Sequence, residues 1–184
     1  MSPDKRVIRE FDSAVLMESL NRIPESAWSL PSTYANTRVH HGYRRCDLVT
    51  AGRRQTGIPA TGFDDILAEF APVFKAWLSW IEPGGFITPH ADAGPWRERW
   101  QIPIRVSGEM SGADERWITA TVGIPFSVRH WERHAVRNFG DGPRIHLVLD
   151  RDRYVDDAPE SRPFRLYPLT DEMFTMIEES HATR

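Results

Sequence analysis

Cysteine, lysine and long apolar runs are scarce in this chain of 184 residues. The single cysteine, Cys46, cannot form an internal disulfide, and a thiolate zinc site would need more sulfur. No stretch reaches about 18 uninterrupted apolar residues, and no apolar run follows the first residues of the chain. We therefore expect no signal peptide, no membrane partner and a cytoplasmic location.

Charge of one sign is also lacking, because 23 basic residues face 26 acidic ones and leave a formal net charge of -3. No overall basic field attracts nucleic acid, so we expect no nucleic-acid partner. The composition is 40% hydrophobic and 11% aromatic, which is enough to bury a core. The length predicts one domain over residues 1–184 and indicates no oligomeric state.

Helical patterns occur in the first 73 residues and near the C-terminus. Residues 12–21 carry apolar side chains at helical spacing behind an Asp or Ser cap. Residues 63–73 repeat the pattern with acidic residues in the first turn, where the helix dipole favours them. A third helix is predicted near residues 171–180, whereas residues 34–62 mix strands and loops of uncertain boundary.

From residue 74 onward, short β-rich runs follow one another between Pro and Gly. The predicted strands are 75–81, 86–91, 99–106, 117–122, 126–128, 135–138 and 144–149. Because no helical pattern separates them, they favour an antiparallel sandwich, jelly roll or barrel. The fold class is therefore mainly β (α+β), with the N-terminal helices packed on one sheet.

Two of these strands alternate between apolar and polar side chains. In one, Ile102 and Ile104 oppose Arg99, Gln101 and Arg105; in the other, Ile145, Leu147 and Leu149 oppose Arg144 and His146. The simpler interpretation puts the polar faces in water. If helices cover the apolar faces instead, the polar faces line a site.

An imidazole and a carboxylate stand two residues apart at His90 and Asp92, so they share one face of a strand. With a third ligand from a distant strand, they would form the two-histidine, one-carboxylate triad of non-haem Fe(II), which leaves open positions on the metal. His134 is our candidate for that ligand. His130 and the pair His40-His41 are competing candidates.

Arg144 follows His134 by ten positions, at the start of the last predicted strand. A guanidinium suits bidentate recognition of a carboxylate, as an anionic co-substrate beside the metal would require. His146 shares a strand face with Arg144 and could approach the same co-substrate, although a packed core histidine is an equal alternative.

These segments resemble the aspartyl/asparaginyl β-hydroxylase family of 2-oxoglutarate- and Fe(II)-dependent oxygenases. The motifs that carry the resemblance are Ser79-Trp80-Ile81-Glu82-Pro83-Gly84-Gly85, Ile87-Thr88-Pro89-His90-Ala91-Asp92, Arg97-Glu98-Arg99-Trp100-Gln101, His134-Ala135-Val136-Arg137-Asn138 and Arg144-Ile145-His146-Leu147-Val148-Leu149-Asp150. They cover about residues 74–151, with residues 1–73 as an N-terminal recognition part and 152–184 as an extension.

The resemblance implies a double-stranded β-helix, the cupin-type jelly roll, with iron held by His90, Asp92 and His134. It implies a dioxygenase that consumes 2-oxoglutarate and O2, with Ser79 and Arg144 at the 5-carboxylate of 2-oxoglutarate and Arg99 nearer the metal. Where family members often carry a histidine, this chain has Gln101, which donates a hydrogen bond but carries no charge.

The substrate implied by the resemblance is an amino acid, free or within a peptide, hydroxylated at an aliphatic carbon. The candidate contacts are Arg45, Arg97 and Trp131, with further arginines at 38, 44, 53 and 54 and further tryptophans at 77 and 96. The arginine cluster is alternatively a solvated surface. Desaturation, cyclisation or epimerisation at the same site and a non-enzymatic cupin binding module are alternative functions.

Overall fold

The computed structural model describes residues 9–29, 40–107, 109–111, 117–155, 160 and 162–168. The predicted helix at 171–180 and Arg38 lie outside these residues. The helices in the described part are α1 (Ser13–Asn21), a short 3-10 helix (Glu25–Ala27) and α2 (Gly62–Glu69). None of them is long and apolar enough to cross a membrane.

Both α-helices begin at a capping side chain. Asp12 accepts hydrogen bonds from the backbone N–H groups of Ala14 and Val15, which have no partner within the first turn of α1. Thr61 and Asp64 form a capping box at the start of α2. The predicted helix over 63–73 was too long: α2 ends at Glu69, since Pro72 disfavours helical backbone at the residue before it.

The described residues form ten strands in an antiparallel arrangement. They are β1 (His40–Thr50), β2 (Arg53–Arg54), β3 (Val73–Ala91), β4 (Arg97–Arg105), β5 (Glu109–Ser111), β6 (Trp117–Ile118), β7 (Phe126–Val128), β8 (His134–Arg137), β9 (Arg144–Tyr154) and β10 (Arg165–Leu166). The order β6-β5-β8-β3-β9-β4-β7 makes one curled sheet, with β1 and β10 also on β3. The mainly β jelly roll with helices on one face is thus confirmed.

The central strand, β3, joins the two parts of the curled sheet. Residues 73–81 pair with β9, and residues 86–90 pair with β8. The predicted break at Pro83-Gly84-Gly85 was wrong, since this segment continues the strand as an irregular stretch. Gly85 is needed there, because a Cβ would lie 2.8 Å from the carbonyl oxygens of Glu82 and His41.

Two other strand predictions differ from the structure. The strand predicted over 117–122 ends at Ile118, because Thr121 and Ile124 close a turn in which the Gly123 N–H donates to the Pro103 carbonyl. Residues 40–50 lie in the segment 34–62, where the sequence does not define strand boundaries, and they form one strand paired along β3. Period-two burial supports it, since Cys46 and Leu48 are fully buried on one face.

The main core lies between the helices and one face of the sheet. Leu16, Leu20, Phe63 and Ile66 of the helices belong to the same buried cluster as the apolar sheet residues. Those sheet residues are Cys46, Leu48, Ala76, Leu78, Ile102, Ile104, Ile145, Leu147 and Leu149. The helices therefore cover the apolar face, and the polar face of the same strands points toward the interior of the roll.

Leu147→Ala is expected to destabilise the fold by about 2 to 5 kcal/mol, because it leaves a cavity in close-packed surroundings. Leu147 is 0% exposed, whereas Leu166, 52% exposed, is the matched control. Leu166→Ala should change the free energy of unfolding by less than about 0.5 kcal/mol. Urea denaturation of both variants measures the difference, and equal losses would contradict this assignment of the core.

Candidate metal centre and pocket

Three side chains from the interior face meet at one point. One ligand atom from each of His90, Asp92 and His134 lies within 4.8 Å of the others. The register explains the encounter, since His90 and His134 are direct partners across β3 and β8. The Asp92 backbone N–H donates to the His130 carbonyl over 2.9 Å, which anchors Asp92 just beyond the end of β3.

The two histidines present the same ring nitrogen toward this point. Nδ1 of His90 lies 2.8 Å from the Thr88 carbonyl oxygen, and Nδ1 of His134 lies 2.9 Å from that of Glu132. A carbonyl only accepts, so each Nδ1 carries a proton, and in the neutral tautomer Nε2 is then the nitrogen with the free lone pair. This tautomer is the one a metal requires, and such backbone partners commonly orient ligating histidines.

The charge states also suit a divalent cation. Burial and the neighbouring His90 lower the pKa of His134 to about 3, so its imidazole is neutral at ordinary pH. Burial alone would raise the pKa of Asp92, but Arg99 and the two histidines hold it well below its usual value. Two neutral nitrogens and one carboxylate form the donor set of a facial triad with open positions.

The triad lines a cavity of about 520 Å³ in the interior of the roll, a size typical of small-molecule sites. Its other lining residues are His40, Tyr43, Arg45, Lys75, Trp77, Ser79, Ile87, Ala93, Arg99, Gln101, Val128, Val136, Arg144, Val148 and Phe164. Arg99, Gln101 and Arg144 belong to the polar strand faces considered above. The helices decide their orientation by covering the opposite faces.

Arg144 is a buried cation that has no counter-ion in the part of the chain that the structure describes. It is 2% exposed, and among the described residues no carboxylate forms an ion pair with it. Burial lowers the pKa of Arg144 to about 9, so the guanidinium remains charged at neutral pH. A buried charge that lacks a partner is costly, and an anion in the cavity would remove that cost.

His146 and Gln101 lie beside this guanidinium. Nδ1 of His146 lies 3.1 Å from Nη2 of Arg144 and 2.8 Å from Oε1 of Gln101. Burial and Arg144 keep the pKa of His146 well below its usual value, so the ring is neutral. Since one ring nitrogen either donates or accepts, the tautomer of His146 decides which contact is the hydrogen bond. Ser79 is the partner of His146 across β3 and β9.

The sequence analysis missed one cationic side chain that lines the cavity, Lys75. Lys75 lies 5.4 Å from the Trp77 ring, and the Arg45 guanidinium lies 4.6 Å from the same ring. Arg45 pairs with Asp47, whereas Lys75 has no ion pair among the described residues. Burial and the nearby Arg45 lower the pKa of Lys75. Period two along β3 was the available signal, since Lys75, Trp77 and Ser79 share a face.

Several predicted substrate contacts lie outside the cavity. Arg97 packs between the rings of Phe74 and Tyr154 and pairs with Asp152, so its guanidinium is already occupied. Trp131 packs on Trp96 and His130 rather than lining the cavity. Arg97, Trp131 and Trp96 are thus absent from the lining of this cavity.

The arginines in the first third of the chain also differ in whether they line the cavity. Arg44 packs over the rings of Trp28 and Trp80 and pairs with Glu25, and Arg54 pairs with Asp64 at the start of α2. Arg53 is exposed. Arg45 alone of this cluster, within the described residues, lines the cavity.

The competing histidines have distinct surroundings. His130 is buried between Trp96 and Trp131 and does not line the cavity, and burial and Arg99 lower its pKa to about 4. His41 stacks on Phe86. His40 lines the cavity with its ring centroid 6.3 Å from that of His90, outside the cluster of ligand atoms.

Comparison with solved structures shows the cupin fold. A cupin-like protein from Thermotoga maritima is 13% identical at a TM-score of 0.50, covering 76% of this chain and 88% of its own. A cupin-2 domain from Rhodospirillum rubrum is 12% identical at a TM-score of 0.49, covering 95% and 91%. The polyketide cyclase RemF from Streptomyces resistomycificus is 15% identical at a TM-score of 0.46, covering 77% and 80%.

No family model and no curated protein matches the sequence. The chain has the cupin fold, and its His/Asp/His cluster could bind a metal. The narrower resemblance to aspartyl/asparaginyl β-hydroxylases rests on the motifs alone.

Proposed function

We propose that this protein is a 2-oxoglutarate- and Fe(II)-dependent dioxygenase that hydroxylates an aliphatic carbon of an amino acid or amino-acid residue. The observation that carries the proposal is the combination, in one cavity, of a two-histidine, one-carboxylate cluster and a buried arginine that has no carboxylate partner among the described residues. The first suits a metal with open positions, and the second suits an anionic co-substrate.

His90, Asp92 and His134 would hold the iron through two Nε2 atoms and one carboxylate oxygen. When bound, the metal would supply oxidation of an unactivated C–H bond, with 2-oxoglutarate and O2 as co-substrates. The protein positions the reacting groups and excludes water from them. The buried apolar and aromatic lining, including Trp77 and Val148, serves that exclusion.

Arg144 would bind the distal carboxylate of 2-oxoglutarate. Its guanidinium offers two parallel donors, and Ser79 lines the same cavity with a hydroxyl that can donate a further hydrogen bond. Arg99, which the resemblance places nearer the metal, already directs its donors to Asp92 and Asp150. Gln101 and His146 extend the polar wall beside Arg144.

The proposal is tested first by binding and then by turnover. Anaerobic addition of Fe(II) and 2-oxoglutarate should produce a weak visible absorption that Arg144→Lys reduces. Mass-spectrometric screening of free amino acids and short peptides should then find a product heavier by one oxygen atom. Absorption without any oxidised amino-acid product would support a non-catalytic cupin that holds a metal and a small acid.

Desaturation, cyclisation or epimerisation remains the alternative outcome at the same centre, because the initial hydrogen abstraction is shared. The mass of the product separates these outcomes, since desaturation and ring closure remove two hydrogen atoms and epimerisation leaves the mass unchanged. Turnover confined to nucleobases, lipids or sugars would overturn the assignment to amino-acid substrates.

The substrate is expected to bring a carboxylate to Lys75 and Arg45, which flank Trp77 in the cavity. Lys75→Gln and Arg45→Gln should each raise KM for such a substrate by about tenfold or more, since a charged hydrogen bond contributes about 1.5 to 3 kcal/mol. We expect kcat to stay nearly unchanged, because these contacts stabilise the bound substrate and the transition state equally.

Arg97→Gln is the matched control, because Arg97 lies outside the cavity and pairs with Asp152. Steady-state kinetics on the substrate found in the screen measures all three variants. An unchanged KM in both cavity variants, or an equal rise in Arg97→Gln, would remove Lys75 and Arg45 from substrate recognition.

A further inference from the structure

A buried guanidinium connects the metal cluster to a second carboxylate. Arg99 donates from Nε to Oδ1 of Asp150 over 2.6 Å and from Nη2 to Oδ2 over 3.0 Å, a bidentate pair. Its remaining terminal nitrogen, Nη1, donates to Oδ2 of Asp92. The three side chains come from β4, β9 and the end of β3, so they tie together the strands that surround the cavity.

We propose that Asp150 is a positioning residue for the metal centre, acting through Arg99 on Asp92. The inference rests on the metal-binding part of the proposed function and is independent of the substrate. Asp150 contributes no atom to the metal cluster and does not line the cavity. Its influence on the metal would therefore pass entirely through the guanidinium.

The first effect of Asp150 is on orientation. Two hydrogen bonds to Asp150 fix the plane of the Arg99 guanidinium. In this orientation its Nη1 donates a hydrogen bond to Oδ2 of Asp92. Oδ1 of Asp92 remains on the side of His90, 3.4 Å from its Nε2. Asp92 would thus offer a single oxygen to a metal, which keeps the remaining positions open for other ligands.

The second effect of Asp150 is on charge. Arg99 alone would cancel the negative charge of Asp92 and repel a divalent cation beside it. With Asp150 included, the three side chains carry a net negative charge in buried surroundings, where interactions between charges are strong. Asp150 therefore lets Arg99 orient Asp92 without neutralising the metal cluster.

The test is the affinity for Co(II), measured by its visible absorption in the full-length protein without substrate. Asp150→Asn should weaken Co(II) binding by about 10- to 100-fold, the usual effect of losing a partner behind a metal ligand. The Co(II) band should also change in position or intensity, because Asp92 is no longer held by one oxygen. Asp150→Glu keeps the charge and should stay closer to the wild type.

Asp152→Asn is the matched control, since Asp152 lies two residues along β9 and pairs with Arg97 outside the cavity. It should bind Co(II) like the wild type. Thermal unfolding without metal checks that each variant is folded. If Asp150→Asn does not fold, the double variant Arg99→Gln, Asp150→Asn removes both buried charges and should still weaken Co(II) binding, because Asp92 loses the guanidinium that orients it.

The outcomes separate the two proposals. A wild-type protein that binds no Co(II) contradicts the metal centre itself. A wild type that binds Co(II), with unchanged affinity and spectrum in Asp150→Asn or in the double variant, overturns the role of Asp150 and leaves the metal centre intact. Equal losses in Asp150→Asn and Asp152→Asn would also overturn it, because a general effect on β9 would explain both.

Discussion

Alanine at His90, Asp92 or His134 is expected to abolish metal binding and nearly all oxidation while the protein remains folded. Each substitution removes one of the three clustered ligand atoms, and none of these side chains belongs to the main core. Loss of a partner behind a ligand already costs about 10- to 100-fold in affinity, so loss of a ligand itself should cost more. Co(II) or Fe(II) titration and turnover measure the effect.

His130→Ala is the control for this set. His130 is buried near the cluster, yet it packs between Trp96 and Trp131 and does not line the cavity. It should therefore retain metal binding. If His130→Ala abolishes binding while His134→Ala does not, His130 is the third ligand. An alanine variant at any of the three positions with near-normal affinity would remove that residue from the triad.

Arg144→Lys is expected to weaken the apparent binding of 2-oxoglutarate by about 1.5 to 3 kcal/mol, which raises its apparent KM by roughly 10- to 150-fold. Lysine keeps the positive charge but loses the planar pair of donors that matches a carboxylate. The residue is buried and has no carboxylate partner among the described residues, so a bound acid would be its counter-ion. Turnover against 2-oxoglutarate concentration measures the change.

Two comparisons make this result specific to the co-substrate. Ser79→Ala removes one neutral donor and should cost less than Arg144→Lys, and metal affinity without 2-oxoglutarate should be unchanged in both variants. If Arg144→Lys leaves the apparent KM for 2-oxoglutarate unchanged, another cationic side chain must bind the distal carboxylate of 2-oxoglutarate. Arg105 shares a strand face with Arg99 but is exposed beyond a register irregularity in β4, so Arg99 or Lys75 would be examined next.

Local patterns were sufficient for much of the fold. Asp12 and Thr61 begin helices because their side chains satisfy backbone N–H groups within a few residues, which is a property of short sequence segments. The alternation over 99–105 and 144–149 reflects strands whose two faces meet different surroundings. The strand at 126–128 agrees with the structure for the same reason.

Patterns failed where distant residues decide the conformation. Residues 40–50 contain two adjacent arginines and no strong β signal, yet they form a strand because β3 offers a long pairing edge. The segment Pro83-Gly84-Gly85 resembles a turn, but pairing on both sides continues the strand through it. Arg45 and Arg97 are alike in sequence terms, and each pairs with an aspartate; only the fold places Arg45 in the lining of the cavity and Arg97 outside it.

The sequence by itself determined the chemical types and spacing of the candidate site: two histidines and a carboxylate on strands, an arginine ten residues after the second histidine, and apolar faces able to form a core. Only the tertiary structure decided which strand faces are interior. Helices α1 and α2 bury the apolar face of the sheet, and this leaves Arg144, His146 and Gln101 inside the roll. Burial of a strand face depends on what packs against it, and the strand's own sequence does not contain that information.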